Sequence, residues 1–255
     1  MIDSHCHLDF HEFDGRRDEI VSGALKAGVH TMINIGVDLE SSEKSAALAE
    51  RYEPVYAAVG VHPHDAKTWN HPVEKKLIDL ADHEKVLAIG EIGLDYYRDL
   101  SPRKLQRKVF RHQLDLAVDR RLPVVIHSRE SFRDTVETVK NYVDRLKGVF
   151  HCFPGTPAEA EEVFDLGFHI SVGGVTTFPK ATMARVAAEV PLERLLLETD
   201  SPYLAPVPFR GKLNQPAYVR YVADKVAVLR DIPVAEVEKI TDRNCRKLFG
   251  LVDVF

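Results

Sequence analysis

Hydrophobic positions along the chain fall into eight short runs, most of them bounded by Gly, Pro, Asp or His. Most of these runs are rich in Val and Ile and nearly continuous in hydrophobicity, which is typical of parallel strands buried on both faces. The runs cover residues 1–9, 31–37, 55–61, 86–92, 122–126, 148–150, 168–172 and 195–197.

Segments with helical periodicity separate these runs, because apolar residues recur three and four positions apart among charged ones. Residues 156–159 (Thr-Pro-Ala-Glu) have the spacing of a capping box, and Gly167 is placed to end the helix that follows. Ser101 and Pro102 offer an N-cap and a first-turn proline for another helix. The predicted helices cover 39–52, 72–83, 103–121, 156–166, 180–190, 215–230 and 234–249.

This alternation of strand and helix predicts the α/β class and, within it, a (β/α)8 TIM-type barrel. The rival is a doubly wound open sheet, which usually has a glycine-rich phosphate turn after its first strand. Here His5-Cys6-His7 occupies that position. We find no linker or low-complexity tract, and therefore expect a single barrel domain over 1–255 with C-terminal helices of about 215–251 packed on it.

Composition narrows the class of protein further. The 255 residues are 45% hydrophobic and carry a formal net charge of -5, so a polyanionic partner must be held by local charge or bound cations. Three cysteines without repeated spacing argue against a disulfide framework. Since no export signal or long apolar run is present, we expect a soluble cytoplasmic protein without membrane association, and no obligate protein partner is evident.

Polar side chains end six of the eight apolar runs. Parallel barrel strands present their C-terminal ends at one mouth, so residues distant in sequence come within metal-binding reach of one another. Considered alone, His127 or His151 is better explained as a hydrogen-bonded core residue, whereas the convergence of all these side chains favours a metal centre. The residues are His5, His7, His62, His64, Glu91, His127, His151 and Asp200.

The number of candidate ligands indicates two metal ions. Four histidines and two carboxylates exceed what one ion uses once water and substrate are admitted. Glu91 is the best candidate for a bridge, because a carboxylate has two oxygens that can bind different ions. We assign the remaining ligands as His5, His7 and Asp200 for one ion and His127 and His151 for the other.

Several motifs together resemble the TatD family of metal-dependent hydrolases over residues 2 to about 250. They are His5-Cys6-His7-Leu8-Asp9, the sequence at 60–64 (Gly-Val-His-Pro-His), the sequence at 90–97 (Gly-Glu-Ile-Gly-Leu-Asp-Tyr-Tyr), the sequence at 122–129 ending in His127-Ser128-Arg129, His151-Cys152-Phe153, and the sequence at 198–204 beginning Glu198-Thr199-Asp200. The family often has serine where Pro154 and Thr156 stand.

This resemblance implies a barrel related to the amidohydrolases, two divalent ions and deoxyribonuclease activity. In the best-studied members that activity is a magnesium-dependent 3′-to-5′ exonuclease. The implied ions are Mg or Mn in action, with Zn, Ni, Co or Fe possible as bound, because mixed histidine and carboxylate ligation tolerates several metals. The family's ligands map onto His5, His7, Glu91, His127, His151 and Asp200.

We therefore expect a metal-activated water to hydrolyse a phosphodiester of DNA. Asp200 and Glu91 are the predicted catalytic residues, with Asp200 orienting or deprotonating the water. His62 and Arg129 are predicted to contact phosphoryl oxygens, and the alternatives for them are a loop anchor and a salt bridge.

Two other functions stay open on the sequence. One is an amidohydrolase-like enzyme that cleaves an amide or ester of a small molecule. Many binuclear members of that larger group use a carbamylated lysine as the bridge, but no lysine occurs between Leu87 and Arg98, which favours the nuclease. The other is a barrel that survives only as a binding scaffold, and the intact ligand set argues against it.

Overall fold

A computed structural model describes residues 1–251 and contains one eight-stranded parallel sheet in the order β1 to β8. The barrel closes where β8 meets β1, since Asp200 N–H donates to His5 O at 2.9 Å and His7 N–H donates to Ser201 O at 2.8 Å. The predicted barrel is therefore confirmed. Its strands are β1 (Ile2–Cys6), β2 (Thr31–Ile35), β3 (Val55–Val59), β4 (Val86–Asp95), β5 (Val124–Arg129), β6 (Gly148–Phe150), β7 (His169–Val172) and β8 (Leu195–Leu197).

Helices follow the strands and cover the outside of the barrel. All seven predicted helices are present, whereas two short ones, α1 and α5, were not predicted from the sequence. The helices are α1 (Arg17–Lys26), α2 (Leu39–Arg51), α3 (His71–Ala81), α4 (Arg103–Arg120), α5 (Phe132–Val139), α6 (Pro157–Asp165), α7 (Thr182–Glu189), α8 (Val219–Arg230) and α9 (Val234–Phe249).

The helix ends bear out one capping prediction and contradict another. Thr156 and Glu159 form a reciprocal capping box at the start of α6, as the sequence predicts. Ser101 does not cap α4, because Pro102 occupies the N-cap position. The Ser101 hydroxyl donates instead to His64 O at 2.7 Å and so ties the loop after β4 to the loop after β3.

Apolar side chains fill the barrel interior near the N-terminal ends of the strands. They form a cluster separate from the larger core between strands and helices, and Cys245, Leu248 and Phe249 of α9 belong to this inner cluster. Asn244 of α9 donates to Leu192 O and Leu195 O at the start of β8, so α9 covers the N-terminal end of the barrel. The inner strand residues are Ile2, Ile33, Ile35, Ala58, Ala88, Val125, Val149 and Leu196.

The single-domain assignment over 1–255 stays a prediction, since residues 252–255 lie outside the described residues. The predicted C-terminal helix that begins near residue 215 starts at Val219, after a short 3-10 turn over Pro216–Tyr218. Among residues 1–251, no helix has the length and apolarity required to cross a bilayer.

Candidate metal centre

Strand alternation brings polar side chains to the interior directly above the apolar cluster. His127 follows the inward-facing Val125 by two positions, and His151 follows Val149 in the same way. Because successive side chains of a strand point to opposite faces, residues two apart share a face. The sequence therefore places these imidazoles at the C-terminal end of the barrel.

One group of candidate ligands comes from β1 and the loop after β8. His5 Nε2 lies 3.2 Å from His7 Nε2, and Asp200 Oδ1 lies 3.7 Å from His5 Nε2 and 3.5 Å from His7 Nε2. Both histidines are buried. These three side chains form one of the groups in the described chain that can hold a metal ion.

The second group surrounds the Glu91 carboxylate. Glu91 Oε1 lies 2.8 Å from His127 Nδ1 and 2.8 Å from His151 Nε2, and these two ring nitrogens are 3.3 Å apart. The other carboxylate oxygen, Oε2, lies 3.5 Å from His5 Nε2. Glu91 thus presents one oxygen to each group, which is the arrangement that a bridging ligand requires.

Hydrogen bonds on the far side of two imidazoles fit a metal site. His7 Nδ1 lies 2.9 Å from Ile35 O, so in the neutral form of the imidazole, the form that binds a metal, Nδ1 carries the hydrogen and the Nε2 lone pair faces His5 and Asp200. His127 Nε2 lies 3.0 Å from Asp95 Oδ2, so in the neutral, metal-binding form of this imidazole the Nδ1 lone pair faces Glu91. Converging lone pairs of this kind are stabilised by a cation between them, and the donor set suits Zn, Ni, Co or Fe as well as Mg or Mn.

Asp95 organises the outer layer of the second group. This fully buried carboxylate accepts hydrogen bonds from Tyr97 N–H at 3.0 Å and Arg98 N–H at 2.7 Å through Oδ1. Its Oδ2 faces both His127 Nε2 at 3.0 Å and His64 Nε2 at 3.1 Å. Burial disfavours the charge of Asp95, but the hydrogen bonds from His127 and His64 outweigh it and lower the pKa.

His62 lies beside Glu91 but is oriented as a hydrogen-bond donor. Its Nδ1 accepts from His64 N–H at 3.1 Å, so the neutral imidazole carries its hydrogen on Nε2, which lies 3.4 Å from Glu91 Oε1. Burial, reinforced by the positive charge of His127, lowers the pKa of His62 to about 4. His62 is therefore neutral at pH 7, although its nitrogen lies close enough to Glu91 and His127 to count as a third candidate ligand there.

Opposite charges within the centre stabilise one another and shift the pKa values of its carboxyl and imidazole groups. Burial favours the neutral carboxyl of Glu91, but the charge of His151 and the hydrogen bond from His127 outweigh it and lower the pKa. Burial likewise disfavours charged His7, yet the hydrogen bond to Asp200 and its negative charge raise the pKa of His7 to about 9. The same contact lowers the pKa of Asp200 against the effect of its burial.

Arg129 does not contact the ligand cluster. Its guanidinium lies over the ring of Tyr97, 3.9 Å from the ring centroid, and both side chains are exposed. Arg129 lies two residues after His127 on β5, so the two side chains are on the same face of the strand and Arg129 is nearer the rim of the barrel. Its predicted contact with a phosphoryl oxygen stays a prediction.

Sequence reasoning missed two carboxylates of this centre. Glu198 is fully buried, accepts from Ser171 Oγ at 2.5 Å and lies 3.6 Å from His151 Nδ1. It follows the inward-facing Leu196 by two positions, so the alternation that located His127 also points to Glu198. Asp95 was missed because β4 was predicted to end before it.

A parallel (β/α)8 barrel with a histidine and carboxylate cluster at its C-terminal mouth has the architecture of metal-dependent hydrolases. The family model described as TatD related DNase matches residues 2–250. The chain belongs to this family and is a metal-dependent hydrolase.

Relatives match along nearly the whole chain. The protein named uncharacterized metal-dependent hydrolase YabD of Bacillus subtilis is 39% identical over 253 residues, covering 98% of this chain and 99% of the relative. The 3'-5' ssDNA/RNA exonuclease TatD of Cronobacter sakazakii is 38% identical, covering 98% of this chain and 97% of the relative. The crystal structure of the TatD homolog YJJV from Escherichia coli superimposes with a TM-score of 0.93 at 35% identity, covering 99% of this chain and 98% of that one.

Proposed function

We propose that this hydrolase cleaves phosphodiester bonds of DNA with two divalent ions, as a 3′-to-5′ exonuclease. The position of Glu91 carries the proposal, because its two oxygens face different groups of candidate ligands. The relative from Cronobacter sakazakii that is named an exonuclease supports the choice of substrate.

The roles of the chain's own residues follow from the geometry. Divalent ions held here supply Lewis acidity, which lowers the pKa of a water and offsets charge on phosphoryl oxygens. Asp200 is largely ionised at neutral pH, since its pKa is lowered, and its partly buried carboxylate can orient the water and accept its proton. Glu91 holds the two ligand groups together.

His62 and Arg129 are the proposed substrate contacts. Neutral His62 directs an N–H into the cluster and can donate it to a phosphoryl oxygen without adding charge beside the ions. Arg129 at the rim can pair with a neighbouring phosphate of the strand through its planar guanidinium.

Metal identity and compartment belong to the proposal as well. We propose Mg or Mn as the working ions, with Zn, Ni, Co or Fe able to occupy the same ligands. The three cysteines of the described chain are free thiols, which is typical of a reducing compartment, and we propose a cytoplasmic enzyme.

The test is hydrolysis of 3′-labelled single-stranded DNA by the purified protein with Mg²⁺ or Mn²⁺, run beside p-nitrophenyl phosphodiesters and a panel of cyclic amides. We expect nucleotides to be released from the 3′ end, and we expect Glu91→Gln to abolish this release. Glu40→Gln is the matched control, because Glu40 lies on the surface in an ion pair with Lys44. Cleavage of the amides alone would reject the proposal in favour of an amidohydrolase.

A further inference from the structure

Two tyrosines stand exposed at the mouth of the barrel beside the metal centre. Tyr97 is 54% exposed and Tyr203 is 50% exposed, whereas most aromatic side chains of the described chain are buried or partly buried. An exposed aromatic ring at the entrance of an active site is a surface on which a flat ligand can stack.

The backbone of Tyr97 is held by the same carboxylate that orients a candidate ligand. Asp95 accepts from Tyr97 N–H at 3.0 Å while its other oxygen faces His127. The guanidinium of Arg129 covers one side of the Tyr97 ring, 3.9 Å from its centroid. A base on the other side of the ring would therefore extend a stack that already contains a cation.

The second ring is connected to the other ligand group. Tyr203 contacts Phe10 edge to face, with ring centroids 6.0 Å apart, and Phe10 stacks on His7 at 4.5 Å. The backbone of Tyr203 is fixed at both ends, because its N–H donates to Asp200 O at 2.9 Å and its carbonyl accepts from Asn214 Nδ2 at 2.6 Å.

The barrel places these rings on opposite sides of the mouth. Tyr97 follows β4 and Tyr203 follows the C-terminal end of β8, and the order β1 to β8 separates these strands by four positions in either direction around the barrel. The candidate ligands lie between the two rings. A strand crossing the mouth can therefore present a phosphate to the ligands and a base to each side.

We propose that Tyr97 and Tyr203 are base-stacking platforms that select single-stranded nucleic acid, an inference that rests on the proposed nuclease function. Bases in a duplex are already stacked on one another, whereas a single strand offers free faces to aromatic side chains. Stacking accepts any base, so the platforms favour single strands without reading their sequence.

The experiment compares two oligonucleotides with the same phosphate backbone. One is an ordinary single-stranded DNA, and the other carries stable abasic residues at its 3′ end. We expect Tyr97→Ala and Tyr203→Ala each to weaken binding of the ordinary strand by about 5- to 150-fold and to raise its KM correspondingly. We expect the variants and the native protein to have the same affinity for the abasic strand to within about 2-fold, because this strand has no base at its 3′ end to stack on the rings.

Phe variants and a distant tyrosine provide the controls. Tyr97→Phe and Tyr203→Phe retain the ring and should restore binding. Tyr52→Ala also removes a ring with an arginine over it, since the guanidinium of Arg51 lies 4.9 Å from the ring centroid. Tyr52 lies at the C-terminal end of α2, towards the opposite end of the barrel. The Tyr52→Ala variant should leave binding of both strands unchanged.

Binding is measured by fluorescence anisotropy in EDTA, and cleavage is measured separately with Mg²⁺. The stacking proposal would be contradicted if the Ala variants lost the same affinity for both strands or lost none for the ordinary strand. It would also be contradicted if the native protein bound the two strands equally. If the native protein binds the ordinary strand preferentially but cleaves neither strand, the nuclease function fails while the platforms stand.

Discussion

Replacing Asp95 with Asn tests whether the outer layer of the metal centre controls one ligand group. The side chains have the same shape, but Asn can accept hydrogen bonds through only one of its two terminal atoms. With its oxygen towards Tyr97 and Arg98, the amide NH2 faces His127 Nε2, which now has to become an acceptor. That change moves the imidazole hydrogen to Nδ1, the atom 2.8 Å from Glu91.

The opposite orientation of the amide is no better, because it directs NH2 at two backbone N–H groups. In either orientation two of the four groups around Asp95 face an NH2 in place of a carboxylate oxygen, and their hydrogen bonds to that oxygen are lost. Loss of an outer partner of a ligating histidine typically lowers metal affinity or activity 10- to 100-fold, which corresponds to about 1.4 to 2.8 kcal/mol. We expect a loss of this size at the ligands Glu91, His127 and His151.

The assay is calorimetric titration of the metal-free protein with Mn²⁺, which we expect to show two binding events in the native chain. Asp95→Asn should weaken one of them. Asp99→Asn is the matched control, because Asp99 lies four residues further along the same loop in a surface ion pair with Arg103 and has a φ of 52° that Asn tolerates. Native affinity for both ions in Asp95→Asn would refute the reasoning.

Three further predictions follow from single residues. Glu91→Ala should abolish both metal occupancy, measured by mass spectrometry, and turnover, and full activity in this variant would remove the bridging role. His7 has a pKa raised to about 9 against burial by its contact with Asp200. Because the folded value lies above the ordinary 6.5, its stabilisation of the metal-free protein is complete below pH 6.5 and is lost as the pH rises through about 9. Thermal unfolding in EDTA should show this decline, and His7→Gln should lack it, so identical pH profiles would contradict the assignment. Gly93→Ala should destabilise the protein by about 3 kcal/mol or more, since the new Cβ would lie 2.0 Å from a carbonyl oxygen of β5 at a φ of +139°. Gly211→Ala, where φ is +83° but no atom lies within 4 Å, separates clash from backbone strain in the same denaturation experiment.

The barrel architecture could be predicted because the sequence patterns of its strands and helices are local and recur along the chain. Continuous apolar runs ended by His, Glu or Asp mark strands that are buried on both faces and open at one end. Parallel order then brings His5 and His151 close together, although 146 positions separate them in sequence. In the structure their rings stack with centroids 4.0 Å apart.

Features that depend on tertiary context could not be predicted in this way. The fourth apolar run ends at residue 92, but in the structure Gly93 still pairs with His127 and the strand continues to Asp95. Helix α1 (Arg17–Lys26) was missed because half of its residues are polar and Gly23, a poor helix former, lies among its apolar positions.

The orientation of His62 is also a tertiary feature, since it depends on the turn that brings the His64 N–H to its Nδ1. Sequence alone identified both residues at a strand end and predicted a phosphoryl contact for His62. It could not predict which ring nitrogen of His62 carries the hydrogen.

The most direct test is a crystal structure of the Mn²⁺-loaded protein with an anomalous difference map. The account predicts two peaks about 3.5 to 4 Å apart, each in contact with a different oxygen of Glu91. One peak should have His5, His7 and Asp200 around it, and the other should have His127 and His151. A single peak, or two peaks with Glu91 bound to neither or only one, would contradict the shared carboxylate on which the proposed chemistry depends.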